Sequence, residues 1–239
     1  MIGPVARLTL RALLRQRRTS VLVVIVAAPV LMSLAFALAR SHTGSGRDFY
    51  SALVQQLFIP TVVSLVSLVF GVSAFGDERE DGTILYLAAT PQPRAALAAA
   101  KVAAAWLASL CLLVPSLVLS ALLVLGSGTR LGLVGWPLLG AAVASLAYCA
   151  ASVWLSLHTR RPIVVGILYI LLWEGSIATF AASAAKLSIA AYGRALVAQS
   201  LPQAARPVAG PATAVVVLAA VVAVAGWAAA RSLRRVELP

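Results

Sequence analysis

Arg17-Arg18-Thr19-Ser20-Val21-Leu22-Val23-Val24-Ile25-Val26-Ala27-Ala28-Pro29-Val30-Leu31-Met32-Ser33-Leu34-Ala35-Phe36-Ala37-Leu38-Ala39-Arg40 holds an uncharged run, Thr19–Ala39, closed at both ends by arginine. Wound as a helix rising 1.5 Å per residue, a run of this length crosses a hydrocarbon layer about 30 Å thick. It is longer than the h-region of a secretory signal, roughly 7 to 15 residues, so it is expected to stay in the mature chain as span 1. Further uncharged runs occupy Phe49–Gly76, Val102–Thr129, Leu131–Thr159 and Pro207–Ala230, and Pro162–Ala185 is interrupted only by Glu174. The expectation is an all-α polytopic membrane protein with six transmembrane helices, near 20–39, 55–76, 101–125, 133–157, 162–182 and 211–230, in a single domain over 1–239. The runs are continuous rather than alternating, which excludes a β-barrel.

Composition agrees with this reading. Of 239 residues, 62% are hydrophobic and 11% charged, too little polar surface to cover a water-soluble globule. The net charge of +12 would suggest nucleic acid in a soluble chain, but here the charges lie between apolar runs. They read as topology signals, with lipid and not nucleic acid as the partner. With the N-terminus in the cytoplasm, the inner segments hold Arg7, Arg11, Arg15, Arg17, Arg18, Arg79, Arg94, Lys101, Arg160, Arg161, Arg231, Arg234 and Arg235. The outer segments keep fewer basic residues, namely Arg40, Arg47, Arg130, Lys186, Arg194 and Arg206. The positive-inside rule therefore predicts both termini in the cytoplasm.

Arg7, Arg11, Arg15 and Arg18 recur at helical spacing beside Val5, Leu8, Leu10, Leu13 and Leu14. Residues 4–18 read either as an amphipathic helix in the cytoplasmic headgroup layer or as a basic topology determinant. Span 4 repeats small residues at Gly140/Ala144 and Ala141/Ser145/Cys149, a spacing that lets helix backbones approach closely. Pro29, Pro60, Pro115 and Pro137 fall in or near spans, as ordinary kinks or hinges. Both cysteines, Cys111 and Cys149, lie inside apolar runs, so no disulfide framework is available.

One inner connection differs from the others: Gly76-Asp77-Glu78-Arg79-Glu80-Asp81-Gly82-Thr83-Ile84-Leu85-Tyr86-Leu87-Ala88-Ala89-Thr90-Pro91-Gln92-Pro93-Arg94. Gly82 can end the preceding helix, Thr83 can cap a new one, and Pro91 and Pro93 stop it after about two turns. So short a helix is unstable alone and carries Ile84, Leu85, Tyr86 and Leu87 in a row, so something should cover it. A soluble partner, the bilayer interface and the neighbouring spans all remain open as that cover.

The order Asp-Glu-Arg-Glu-Asp-Gly-Thr, then Leu85-Tyr86-Leu87, then Thr90-Pro91-Gln92-Pro93-Arg94, then Lys101 resembles the loop after the second span in type-2 ABC exporter permeases. The resemblance implies that 77–94 contains a cytoplasmic coupling helix between spans 2 and 3, docking in a cleft of a separate ATP-binding subunit. It further implies two permease copies around a transport path, with ATP and Mg held by the partner and no cofactor on this chain. The matching positions are Glu78, Glu80, Gly82, Thr83, Pro91, Arg94 and Lys101. Asp77, Arg79, Asp81, Leu85 and Leu87 complete the expected ATPase-coupling surface. Residues 183–210 resemble the family's external helices, which partly re-enter the membrane.

Glu174 lies within span 5, where an acid near the bilayer centre costs about 2.5 to 3.5 kcal/mol on insertion scales. It requires a partner or water. The open readings are a polar group at the pathway or between two copies, a pair with an external basic group, or a structural hydrogen bond orienting span 5. The Trp173-Glu174 step also resembles some members of the family.

No phosphate-binding Gly-x-x-x-x-Gly-Lys-Ser/Thr occurs, His42 and His158 fall on opposite sides of the expected topology, and the Asp77–Asp81 acids lack companion His or Cys residues. These features argue against an enzyme or a metal site in this chain. The expected function is the permease subunit of an ATP-driven exporter in a bacterial plasma membrane. Two alternatives are a mechanotransmitter acting on an extracytoplasmic partner without solute transport, and an ion-coupled carrier using Glu174.

Overall fold

The computed structural model describes residues 17–39, 45–80, 94–126, 131–177, 185–201 and 208–235. Among these, the chain forms seven helices and no strand. We number them α1 (Arg17–Leu38), α2 (46–80), α3 (Arg94–Leu125), α4 (Leu131–His158), α5 (162–177), α6 (Ile189–Val197) and α7 (Pro211–Arg235). A helix satisfies every backbone N–H and C=O within its own segment, which hydrocarbon surroundings demand.

Two helices are not uniform. Leu53–Val63 of α2 and Tyr169–Ile177 of α5 are wound with wider, i→i+5 turns. Pro60 stands within the first, where it lacks an N–H to donate. One turn on, the Ser64 hydroxyl is shared between the carbonyl oxygens of Pro60 and Thr61.

Among the described residues, five helices are long and apolar enough to cross a membrane: α1, α2, α3, α4 and α7. The remaining expected span, the fifth at 162–182, is helical over 162–177, of which Pro162–Glu174 is a shorter apolar helix, and residues 178–184 lie outside the described residues. Residues 4–16 of the expected interfacial helix also lie outside them, and Arg17 and Arg18 already belong to α1. Of the expected external helices at 183–210, α6 is present. The second span starts earlier than expected, at Gly46, and runs on through Asp77, Glu78, Arg79 and Glu80, because nothing before Gly82 interrupts the helix.

The layout follows from how much of each span is covered. In its most apolar stretch α2 is 72% buried, against 22% for α1 and for α7, so α2 forms the centre and the other two leave apolar side chains such as Val24 and Val216 exposed on the outside of the bundle. The central helix packs against α1, α3, α4, α5 and α6.

Small residues set the spacing between α2 and α4. A methyl group added at Gly71 would stand 2.6 Å from the Ser152 Cβ and 3.0 Å from the Cys149 carbonyl oxygen, so the two backbones are nearly in contact. At this seam the Ser67 and Ser145 hydroxyls are hydrogen bonded at 3.0 Å, and the Cys149 thiol donates to the Ser67 carbonyl at 3.7 Å. The other small-residue face of α4 receives α6, with Gly193 against Gly140 and Ala144. The repeat read in span 4 therefore serves two neighbours. Elsewhere Trp106 of α3 donates to the Ala142 carbonyl at 2.9 Å, and Ser116 to that of Val26 at 2.8 Å.

A double-mutant cycle of Ser67→Ala with Ser145→Ala should return a coupling of about 0.6 kcal/mol, the usual scale for hydroxyl pairs between membrane helices. Thermal unfolding in detergent reads it. A coupling of zero would mean that packing alone holds this seam.

Candidate functional site

Among the described residues, two places hold the candidate site residues. The first is at Glu174, on the wide-turned part of α5 and only 2% exposed. Its Oε1 accepts from the Tyr148 hydroxyl at 2.8 Å, the Tyr169 hydroxyl at 3.3 Å, and the backbone N–H groups of Ile189 and Ala190 at 3.0 and 3.4 Å. Its Oε2 accepts from the Ser188 hydroxyl at 2.5 Å. Ser188 also caps α6, accepting from the Ala191 N–H at 3.0 Å.

The first three N–H groups of α6 are thus satisfied, two by an acid from another helix and one by the residue before it. A carboxylate at a helix N-terminus meets the positive end of the helix dipole, and that together with three hydroxyl donors is how a buried acid is tolerated. The opposite end of α6 is tied by Arg47, at the start of α2, whose guanidinium donates to the Ser200 carbonyl at 3.0 Å.

Of the readings left open for Glu174, the geometry matches the structural hydrogen bond. It holds α5 and α6 together against Tyr148 of α4. Among the described residues, none of its recorded partners is a basic side chain.

Sequence reasoning missed Tyr148, Tyr169 and Ser188 as its partners. Ser188 had a usable signal, a serine placed before an apolar helix. Tyr169 had none, because a residue five positions before Glu174 points away from it in a helix of 3.6 residues per turn. The wider turn brings the two onto one side.

The second place is the mouth between α2 and α3. Lys101 is 3% exposed, and its ammonium lies 5.5 Å from the centre of the Phe75 ring, a cation–π contact joining the two helices. Asp77, Glu78, Arg79 and Glu80 form the last turn of α2, and Arg94 opens α3. Asp81, Gly82, Thr83, Leu85, Leu87 and Pro91 lie outside the described residues. Among the described residues no group of three or more His, Cys, Asp or Glu side chains could hold a metal ion.

The family model described as ABC-2 family transporter protein matches residues 13–189. The match takes in α1 to α5 and ends at the first residue of α6. No curated protein matches the chain.

Proposed function

Given that this multi-pass membrane protein belongs to the ABC-2 transporter family, we propose that it is the permease subunit of an ATP-driven exporter. In this reading two permease copies enclose the path, and a separately encoded ATP-binding subunit holds ATP and Mg. The chain supplies no catalytic group. Its spans number six, with 162–182 as the fifth, and both termini lie in the cytoplasm of a bacterial cell.

The observation that carries this reading is which two helices the 81–93 segment connects. It joins the end of α2, the most enclosed span, to the start of α3. A partner docked on Glu80, Gly82, Thr83, Leu85 and Leu87 would push on the helix in contact with α1, α3, α4, α5 and α6. The Lys101–Phe75 contact supports α2 and α3 moving as a pair. Packed spans change between discrete arrangements rather than bending smoothly, so a displacement at the loop reaches the path as a repacking of α1, α2 and α5.

Replacing Leu85 and Leu87 together by aspartate should weaken capture of the ATP-binding subunit about thirtyfold, the scale of a lost 2 kcal/mol anchor, with membrane yield unchanged. A co-purification series against the wild-type chain measures this. Undiminished recovery of the ATPase would overturn the coupling role of the segment. Uptake driven by a proton gradient in proteoliposomes without any ATPase, and lost in Glu174→Gln, would replace this reading with an ion-coupled carrier.

A further inference from the structure

Away from both places, α3, α4 and α7 enclose a cavity of about 820 Å³. Its walls are almost entirely apolar, with Ala103 and Trp106 from α3, Leu146 from α4, and Val222 from α7. Trp227 and Arg231 also line a second cavity, of about 400 Å³. This second space is polar by comparison, with His158 and Ser232 in its wall. The Arg231 guanidinium lies 5.3 Å from the centre of the Trp227 ring. A guanidinium has paired N–H groups that suit a bidentate hydrogen bond to an oxyanion. Among the described residues, Arg231 has no recorded carboxylate partner.

An apolar slot that ends in a cationic, hydrogen-bonding mouth has the shape and polarity of one amphiphile. We infer that the cleft between α3, α4 and α7 binds an anionic phospholipid, its phosphate on Arg231 beside His158 and Ser232 and an acyl chain in the alanine-rich slot.

Three observations favour lipid over other occupants. Trp227 is 63% exposed on a span that is 22% buried, so the site opens sideways into the bilayer and not only to water. Tryptophan and arginine at a helix end mark the headgroup level, and basic pockets between spans at that depth suit lipid phosphates. The slot is walled by small side chains such as Ala103 and Ala223, which leave a narrow channel fitted to a flexible chain rather than to a protein surface. The inference depends on membrane placement alone, so it survives or fails independently of ATPase capture.

The test uses the full-length chain, equilibrated with phosphatidylglycerol and phosphatidylcholine of equal chain length and analysed by native mass spectrometry. Wild type should retain phosphatidylglycerol in preference, and excess inorganic phosphate should not displace it. Arg231→Gln should lower that retention about fivefold, the effect of one basic residue near a lipid surface. Ala223→Trp, which fills the slot, should lower retention of both lipids. The Arg160→Gln/Arg161→Gln variant, outside the cleft, should behave as wild type.

Equal retention of the two lipids by wild type would overturn the inference. So would wild-type retention in both cleft variants, or displacement by phosphate alone. Cross-linking of Ala223→Cys to a second copy, or to residues 4–18, with no phospholipid retained would assign the cleft to protein instead.

Discussion

Glu174→Leu is expected to destabilise the protein by about 3 to 5 kcal/mol, because it removes the common acceptor of five donors, four of them in buried hydrogen bonds, and fills its place with hydrocarbon. The hydroxyls of Tyr148, Tyr169 and Ser188 can turn elsewhere, but the Ile189 and Ala190 N–H groups are fixed by the helix they begin. Loss should therefore appear first at α6, as earlier proteolysis of 185–201 than of the long spans. Glu174→Gln keeps one carbonyl oxygen for those N–H groups, and its amide can donate to the Ser188 oxygen, so it should lose less, roughly 1 to 2 kcal/mol. Thermal unfolding in detergent with limited proteolysis separates the two variants. A leucine variant as stable as wild type would show that the acid does not hold α6.

Gly71→Leu is expected to prevent α2 and α4 from closing, with loss of monodisperse protein. Even Gly71→Ala puts its methyl group 2.6 Å from the Ser152 Cβ and 3.0 Å from a backbone oxygen, and neither can retreat without moving a helix. Overpacking of that kind costs about 1 to 3 kcal/mol for one methyl group, and the additional carbons of leucine have no space at all. Gly135→Ala is the internal control, since a methyl group there meets nothing within 4 Å. It should be neutral, or stabilising by up to about 1 kcal/mol through helix propensity. If Gly71→Ala and Gly135→Ala unfold at the same temperature, the close approach of α2 and α4 is not a determinant of stability.

Five of the expected spans were legible because hydrocarbon thickness dictates a minimum apolar length, and charged residues mark where the runs end. The small-residue repeat of α4 was legible too, as a surface prepared for close neighbours. Its partners were harder to read: Ser67 and Gly71 on α2 share the same four-residue spacing, yet inside so uniform an Ala, Val and Leu background such a pair does not stand out. Glu174 announced a need for donors but not their source, because a helix N-terminus reached through tertiary contact leaves no pattern around the acid itself. The early start of α2 at Gly46 was obscured by Arg47 and Asp48, charges that usually mark a loop; Arg47 instead reaches across to the Ser200 carbonyl.

The cap that Glu174 supplies to α6 bears on how the chain is made. Synthesis runs from the N-terminus, so Tyr148 and Tyr169 leave the ribosome before the acid, while Ser188 follows it by fourteen residues. During that interval the carboxyl group has two phenols for company and lacks the two backbone donors of Ile189 and Ala190. With α5 as the fifth span proposed above, its partition from the translocon into lipid is expected to wait until translation has passed those residues. Truncation series stopped between Glu174 and Ser188 should leave this segment on the aqueous side more often than series stopped after Ala191.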